Sequence, residues 1–344
     1  EPMTTIRYPW DTPPDHGEMI EIAQGVHWLR LPLPMKLDHV NIYVLDDGDG
    51  WTLIDTGMKT RRVQAMWQAV LEGPLRGKPV KRVVATHHHP DHIGFHGWFV
   101  EEFGAEHVST QVAYLTGRML TLDVQERYTE GQIAFYRRAG MRADLLAARQ
   151  TERPFNFSDM VHPIPIGFTR IQEGDVIEMG GRSWDVRVDH GHAPDHATFW
   201  SRDDNLVLCG DQVIPSISSN IGVYPTEPDA NPLADWLHSC ARLQDFAQAD
   251  HLALPGHKLP FVGMPLRLRQ LEENHHGALM RLRADLKTPK TAGEVMMAVF
   301  KRQIGNGEYG LGLVEALAHC NYLWHAGEVT RSLHQDGAYR WVIK

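Results

Sequence analysis

The chain has 344 residues, 42% of them hydrophobic and 22% charged, with a formal net charge of -9. Such a composition belongs to a soluble globular protein with one large core and a smaller appended unit, and no apolar run approaches the roughly 20 residues that span a bilayer. The acidic balance argues against a broad nucleic-acid surface, and the three cysteines (Cys209, Cys240 and Cys320) are too scattered for a disulfide framework.

In chain order, Glu1–Trp10 lacks the basic-then-apolar design of a secretory leader, which with the few cysteines leads us to expect a cytoplasmic protein. Met19–Pro34 alternates apolar and polar residues and predicts a hairpin turning near Gln24-Gly25. Asn41–Leu45 and Trp51–Ile54 read as strands around a turn at Asp46–Gly50, and a helix is expected over about Arg61–Leu71. Val80–Ala85 reads as a buried strand that runs into Thr86-His87-His88-His89-Pro90-Asp91-His92-Ile93-Gly94. Pro90 disfavours helix at His89, so His87 and His89 fall in an extended turn at the strand's end, where an i, i+2 imidazole pair can point at one metal. Asp91 and His92 can turn towards a second. Packing gives no reason to crowd histidines and a carboxylate there, whereas both groups are ordinary ligands for zinc, iron or manganese.

The same arrangement recurs later. Trp184–Val188 leads to His192, Asn205–Cys209 leads to Asp211, and His251–Leu254 leads to His257, with a helix over about Leu233–Phe246. Two β-rich halves with helices outside make an α/β, four-layer αββα sandwich whose site lies where strand ends of both halves meet. Two regions stand outside that core. Residues 110–165 form a helical insertion, with Leu115, Met119, Leu122 and Val124 at helical spacing and the aromatics Tyr114, Tyr128, Phe135 and Tyr136. It is either an excursion packed on the sandwich or a lid over the site. We divide the chain into a domain of residues 1–287 and a C-terminal unit of residues 288–344. In that unit Thr291-Ala292-Gly293-Glu294 is a capping box opening a helix through Val295, Val299 and Phe300. A second helix follows over about Gly312–Ala326, then strands Val329–Leu333 and Tyr339–Ile343.

The His-x-His-x-Asp-His run, Asp55 in Leu53-Ile54-Asp55-Thr56-Gly57, and the His192, Asp211 and His257 segments together resemble the metallo-β-lactamase-fold hydrolase superfamily. The resemblance implies the αββα fold and two divalent ions, zinc favoured over iron or manganese. We assign His87, His89 and His192 to one ion and Asp91, His92 and His257 to the other, with Asp211 between them. Asp55 is expected to accept a hydrogen bond from a ligating imidazole. Hydroxide held between the ions is the expected nucleophile, and Asp91 orients it and passes a proton to the leaving group. His190 is a rival to His192 as ligand, His196 and His96 read as supporting or core groups, and His88 is expected to point away. Tyr224 can hydrogen-bond a substrate oxyanion or simply pack in its loop.

Within that superfamily, Asp211 argues against true β-lactamases, and His89 against flavin-linked diiron members. The complete second donor set argues against single-iron sulfur dioxygenases. Glyoxalase II-type thioesterases, lactonases and ribonucleases remain. The tail resembles the winged helix of the branch containing β-lactamase-like protein 2. Its basic residues (Lys290, Lys301, Arg302, Arg331, Arg340, Lys344) are offset by Glu294, Glu308, Glu315, Glu328 and Asp336, so a packing or homodimer role is favoured over DNA binding. The favoured reading is a hydrolase of a small ester, lactone or thioester, ahead of a metal-dependent endoribonuclease or a winged-helix nucleic-acid binder with a vestigial site. A small-molecule substrate and no membrane partner go with it.

Overall fold

The computed structural model describes residues 5–344, so the first four residues of the Glu1–Trp10 segment lie outside it. Seven strands form one sheet in chain order: β1 (Met19–Ala23), β2 (Val26–Pro32), β3 (His39–Asp46), β4 (Trp51–Ile54), β5 (Val80–Val84), β6 (Glu106–Ser109) and β7 (Thr169–Arg170). Six form the second, with β8 (Val176–Met179), β9 (Arg182–Asp189), β10 (His196–Ser201), β11 (Leu206–Gly210), β12 (Leu252–Pro255) and β13 (Phe261–Val262) also adjacent in chain order. β1 to β4 are antiparallel, as short connections allow; β4 to β7 are parallel and are joined through helical crossovers.

Those crossovers and the outer layers use α1 (Arg61–Glu72), α2 (Pro90–Ile93), α3 (His96–Phe103), α4 (Gln111–Leu122), α5 (Glu130–Arg138), α6 (Ala143–Arg149), α7 (Pro232–Leu243) and α8 (Met264–Asp285). The period-2 alternation of the strands sorts side chains into three cores. Trp28, Tyr43 and Leu45 face Trp184, Phe199 and Leu208 between the two sheets. Their strand neighbours Leu29, Ile42 and Val44 turn the other way, onto Trp67 of α1 and Phe99 of α3. On the far side of the second sheet Val207 and Cys209 pack on Trp236 and Cys240 of α7. Helix, sheet, sheet, helix is the four-layer sandwich expected.

The tail contains α9 (Met296–Phe300), α10 (Tyr309–His325), β14 (Val329–Leu333) and β15 (Tyr339–Ile343). The Thr291/Glu294 capping pair is present, each side chain bonding the other's backbone N–H at 3.1 Å, but it opens a 3-10 turn before the five residues of α9 rather than one continuous helix. Leu313, Leu317 and Trp341 of this unit enter the same core as α7, α8 and Phe135 of α5. The 22-residue α8 was not anticipated; its charged, histidine-rich sequence hides the buried face Leu268, Leu271, His275 and Leu282.

The insertion holds α4 to α6. Its expected packing stripe faces outward: Leu115, Met119, Leu122 and Val124 are at least half exposed. The helix buries Ala113, Tyr114 and Gly117 instead, and a Cβ at Gly117 would stand 2.9 Å from Ile93. Phe135 enters a core, whereas Tyr136 carries the Arg149 guanidinium 4.2 Å above its ring. Among the described residues, no helix is long and apolar enough to cross a membrane.

Candidate metal centre

The ends of β4, β5, β11 and β12, with the turn after β9, converge on one buried pocket. Asp55 leaves β4 with a left-handed backbone, φ 65°, a conformation that costs energy outside glycine and clusters at functional sites. Its carboxylate accepts the Thr86 N–H at 2.8 Å, the Thr86 hydroxyl at 2.7 Å and His92 Nδ1 at 2.7 Å. The hydroxyl thus committed as donor, Thr86 Oγ1 accepts His87 Nδ1 at 2.8 Å. His192 Nδ1 donates to the Asn220 carbonyl at 2.7 Å and His257 Nδ1 to the His39 carbonyl at 2.8 Å. Since a carbonyl can only accept, Nδ1 carries the proton in these rings and Nε2 is left as a lone pair.

All four Nε2 atoms surround one oxygen. Asp211 Oδ2 lies 3.1 Å from His92, 3.3 Å from His257, 3.4 Å from His192 and 3.5 Å from His87. Asp91 joins from the side, its Oδ2 3.1 Å from His257 Nε2 and 3.3 Å from His92 Nε2. Lone pairs aimed at a carboxylate repel unless positive charge stands between them. His87 Nε2, His192 Nε2 and Asp211 Oδ1 are also buried with no hydrogen-bond partner among the described residues. The donors fall into two groups, His87, His89 and His192, and Asp91, His92, Asp211 and His257, with the ligand atoms in each within 4.8 Å of one another. Imidazole and carboxylate donors so clustered fit divalent metal ions.

Electrostatics points the same way. Burial, then neighbouring imidazoles, holds His87 and His89 well below the ordinary histidine range, so they stay neutral, the state in which an imidazole can bind a metal. At His257 burial also opposes charge, but Asp211 and Asp91 outweigh it and push the ring up to about 10; His92 rises for the same reason. Burial would raise Asp211, yet His257 and His92 carry it well below the carboxylate range. The pocket demands positive charge, which protons supply if metal does not.

Two glycines make room. A Cβ at Gly256 would lie 2.4 Å from Asp211 Oδ1, and one at Gly210, φ 52°, would lie 2.6 Å from His196 Cε1. His196 stacks on His87 with centroids 4.5 Å apart and accepts the Asp211 N–H at 3.0 Å, while His96 Nδ1 bonds Thr56 Oγ1 at 2.8 Å. Both support the centre from behind. His88 turns towards Phe157. His190 is not brought in: its side chain is half exposed, near Asp195, and Gly191 between it and His192 has φ 108°. Tyr224 also stands outside the donor groups, 42% exposed, its hydroxyl donating to Asn220 Oδ1 at 3.2 Å.

Sequence reasoning missed the acceptors His39 and Asn220, since a backbone carbonyl leaves no side-chain signature. It also missed Thr86, although the hydroxyl immediately before the histidine run was visible. Asn41 and Tyr43 were missed as well; their side chains bond the Pro255 carbonyl at 3.0 and 2.7 Å and brace the loop before His257.

A sandwich with this centre at its strand ends defines a metallo-hydrolase. Residues 35–257 match the metallo-beta-lactamase superfamily, and residues 279–344 match the metallo-beta-lactamase-like C-terminal domain. The chain belongs to the metallo-beta-lactamase superfamily. It is 26% identical to the probable metallo-hydrolase YqjP of Bacillus subtilis (strain 168), over 88% of this chain and 92% of that one. A beta-lactamase domain protein from Burkholderia ambifaria superposes with TM-score 0.88 at 34% identity, covering 98% of this chain and 97% of the other. A metallo-beta-lactamase family protein from Thermus thermophilus gives TM-score 0.79 at 28% identity, covering 94% and 100%.

Proposed function

We propose that the chain is a dinuclear hydrolase, zinc the favoured ion, acting on a small ester, lactone or thioester. The observation that carries this is Asp211, whose Oδ2 lies within 3.5 Å of imidazoles from both donor groups. His87, His89 and His192 would hold one ion, Asp91, His92 and His257 the other, and Asp211 both. Bound there, such ions supply Lewis acidity and bring the pKa of water from about 15.7 to near 7, which makes hydroxide available at neutral pH.

The chain's own groups do the rest. Asp55, Thr86, Asn220 and His39 hold the imidazoles in the tautomer that offers Nε2. Asp91 is kept ionised by His92 and His257 against the effect of burial, so it can accept a proton from the nucleophile and pass it to the leaving group. Tyr224 is assigned to substrate positioning at the rim.

A small-molecule substrate is favoured over RNA by the tail's ion pairs. Lys290, Arg302, Arg331 and Arg340 face Asp285, Glu308, Asp229 and Asp336, which leaves no continuous basic face for phosphates. Elemental analysis with a panel of lactones, thioesters, esters and RNA tests the proposal. Two ions per chain, falling in Asp211→Ala together with a drop in turnover on the order of a thousandfold, is the expected result. One ion unaffected by that variant, or cleavage of RNA alone, would overturn it.

A further inference from the structure

A second cavity, of about 460 Å³, lies between α8, α9, α10 and the segment Ile217–Asn220. That volume is within the range of small-ligand sites. Phe300, Ile304 and Leu311 supply an apolar wall.

At the cavity stands His275, 2% exposed. Its tautomer follows from a relay of hydrogen bonds. His319 Nδ1 donates to the Glu315 carbonyl at 2.8 Å, so His319 Nε2 is an acceptor and takes the proton of His275 Nδ1 at 3.3 Å. His275 Nε2 is therefore a bare lone pair, buried and without a partner among the described residues. A buried acceptor left unmade costs about 1–3 kcal/mol, and a ligand O–H or N–H would satisfy it.

The cavity also carries cations. Arg281 spends Nε and Nη2 on the carbonyls of Ala298 and Val299, at 2.7 and 2.9 Å, and pairs with no carboxylate among the described residues. Lys301 likewise has no acidic partner there, whereas Glu308 is engaged by Arg302 at 3.2 Å. Burial pushes the cavity's remaining acid, Glu315, up to about 7, which blunts its negative charge.

We propose that this cavity is a binding site, separate from the metal centre, for a small carboxylate that carries a hydroxyl or N–H donor on an apolar body. The carboxylate meets Arg281 and Lys301, and the donor meets His275 Nε2. The site reports to the centre through one strap of chain. Ser218 and Asn220 line the cavity, while the Asn220 carbonyl holds His192 and Ser219 donates to the Asp211 carbonyl.

Calorimetric titration of the metal-loaded full chain with 3-hydroxyoctanoate, octanoate and heptan-2-ol separates the two contacts. One equivalent of the hydroxy acid should bind, with the probes lacking the hydroxyl or the charge each weaker by about tenfold or more. Arg281→Met should weaken the hydroxy acid and octanoate by about tenfold and leave the uncharged probe unchanged. Since Arg281 also braces α9, Leu311→Trp provides a second variant: Leu311 is 57% exposed, and the indole should fill the cavity mouth and remove binding at unchanged metal content. Equal binding of the three probes, binding undiminished in Leu311→Trp, or no heat at millimolar ligand would overturn the proposal.

Discussion

The Asp55 carboxylate and the His92 imidazole lie 2.7 Å apart, and Asp55 reaches that position only by adopting a left-handed backbone. Asparagine tolerates the same φ, so Asp55→Asn isolates the carboxylate from the backbone. An amide offers one acceptor oxygen where three donors now converge, from Thr86 N–H, Thr86 O–H and His92. Metal affinity should fall by about 10–100-fold, read by competition with a chromophoric chelator. Unchanged affinity would reduce Asp55 to a backbone role.

Gly256→Ala is a steric probe of the same centre. The added methyl would stand 2.4 Å from Asp211 Oδ1 and 2.9 Å from His92 Cε1, and the φ at Gly256 is not left-handed, so the effect lies in the clash alone. The variant should lose at least one bound ion per chain and most turnover while its far-UV circular dichroism stays native. Full metal occupancy would show that Asp211 can move without consequence.

Glu315 provides a pH handle away from the candidate metal centre. Its folded pKa, about 7, is raised above its ordinary 4.5 by burial. The stability this proton contributes is fully present below 4.5 and lost as pH rises through 7, up to about 3 kcal/mol at 1.36 kcal/mol per unit. Glu315→Gln keeps an acceptor for the Ile221 N–H, now 2.8 Å from Oε1, and cannot ionise. Denaturant midpoints of the variant should therefore be flatter than wild type between pH 4.5 and 7. Parallel curves would place the titration elsewhere.

Tyr224→Phe tests the rim. The hydroxyl makes one neutral hydrogen bond, to Asn220 at 3.2 Å, and the ring is half exposed. Losing a substrate contact of about 1 kcal/mol should raise KM about fivefold and leave kcat and metal content nearly unchanged. A large fall in kcat at constant KM would instead make Tyr224 a stabiliser of the transition state.

Much of this molecule was legible because its donors sit where hydrophobic runs stop. A strand such as Val80–Val84 announces itself by composition, and the cluster from His87 to His92 follows at once, so fold and site are read from the same residues. Direction was harder to read. His190 and His192 share a strand end, and the left-handed turn at Gly191 between them, φ 108°, has no signature beyond the glycine itself. On α4 both faces are apolar enough to pack, and the face of Ala113, Tyr114 and Gly117 is the buried one, with Ile93 standing 2.9 Å from where a Cβ at Gly117 would lie. α8 escaped notice since much of its apolar face is interleaved with Arg267 and His275, both buried.

Trp341, wholly buried, packs in the core that also contains Trp236 of α7 and Phe135 of α5. A ribosome delivers the candidate metal donors, the last of them His257, long before it delivers β15. Until then the core that α7 and α8 share with the tail lacks Trp341, and the nascent chain presents an apolar face there. Chaperone engagement during synthesis should therefore peak after His257 emerges and end only when the hairpin of Val329–Leu333 and Tyr339–Ile343 closes.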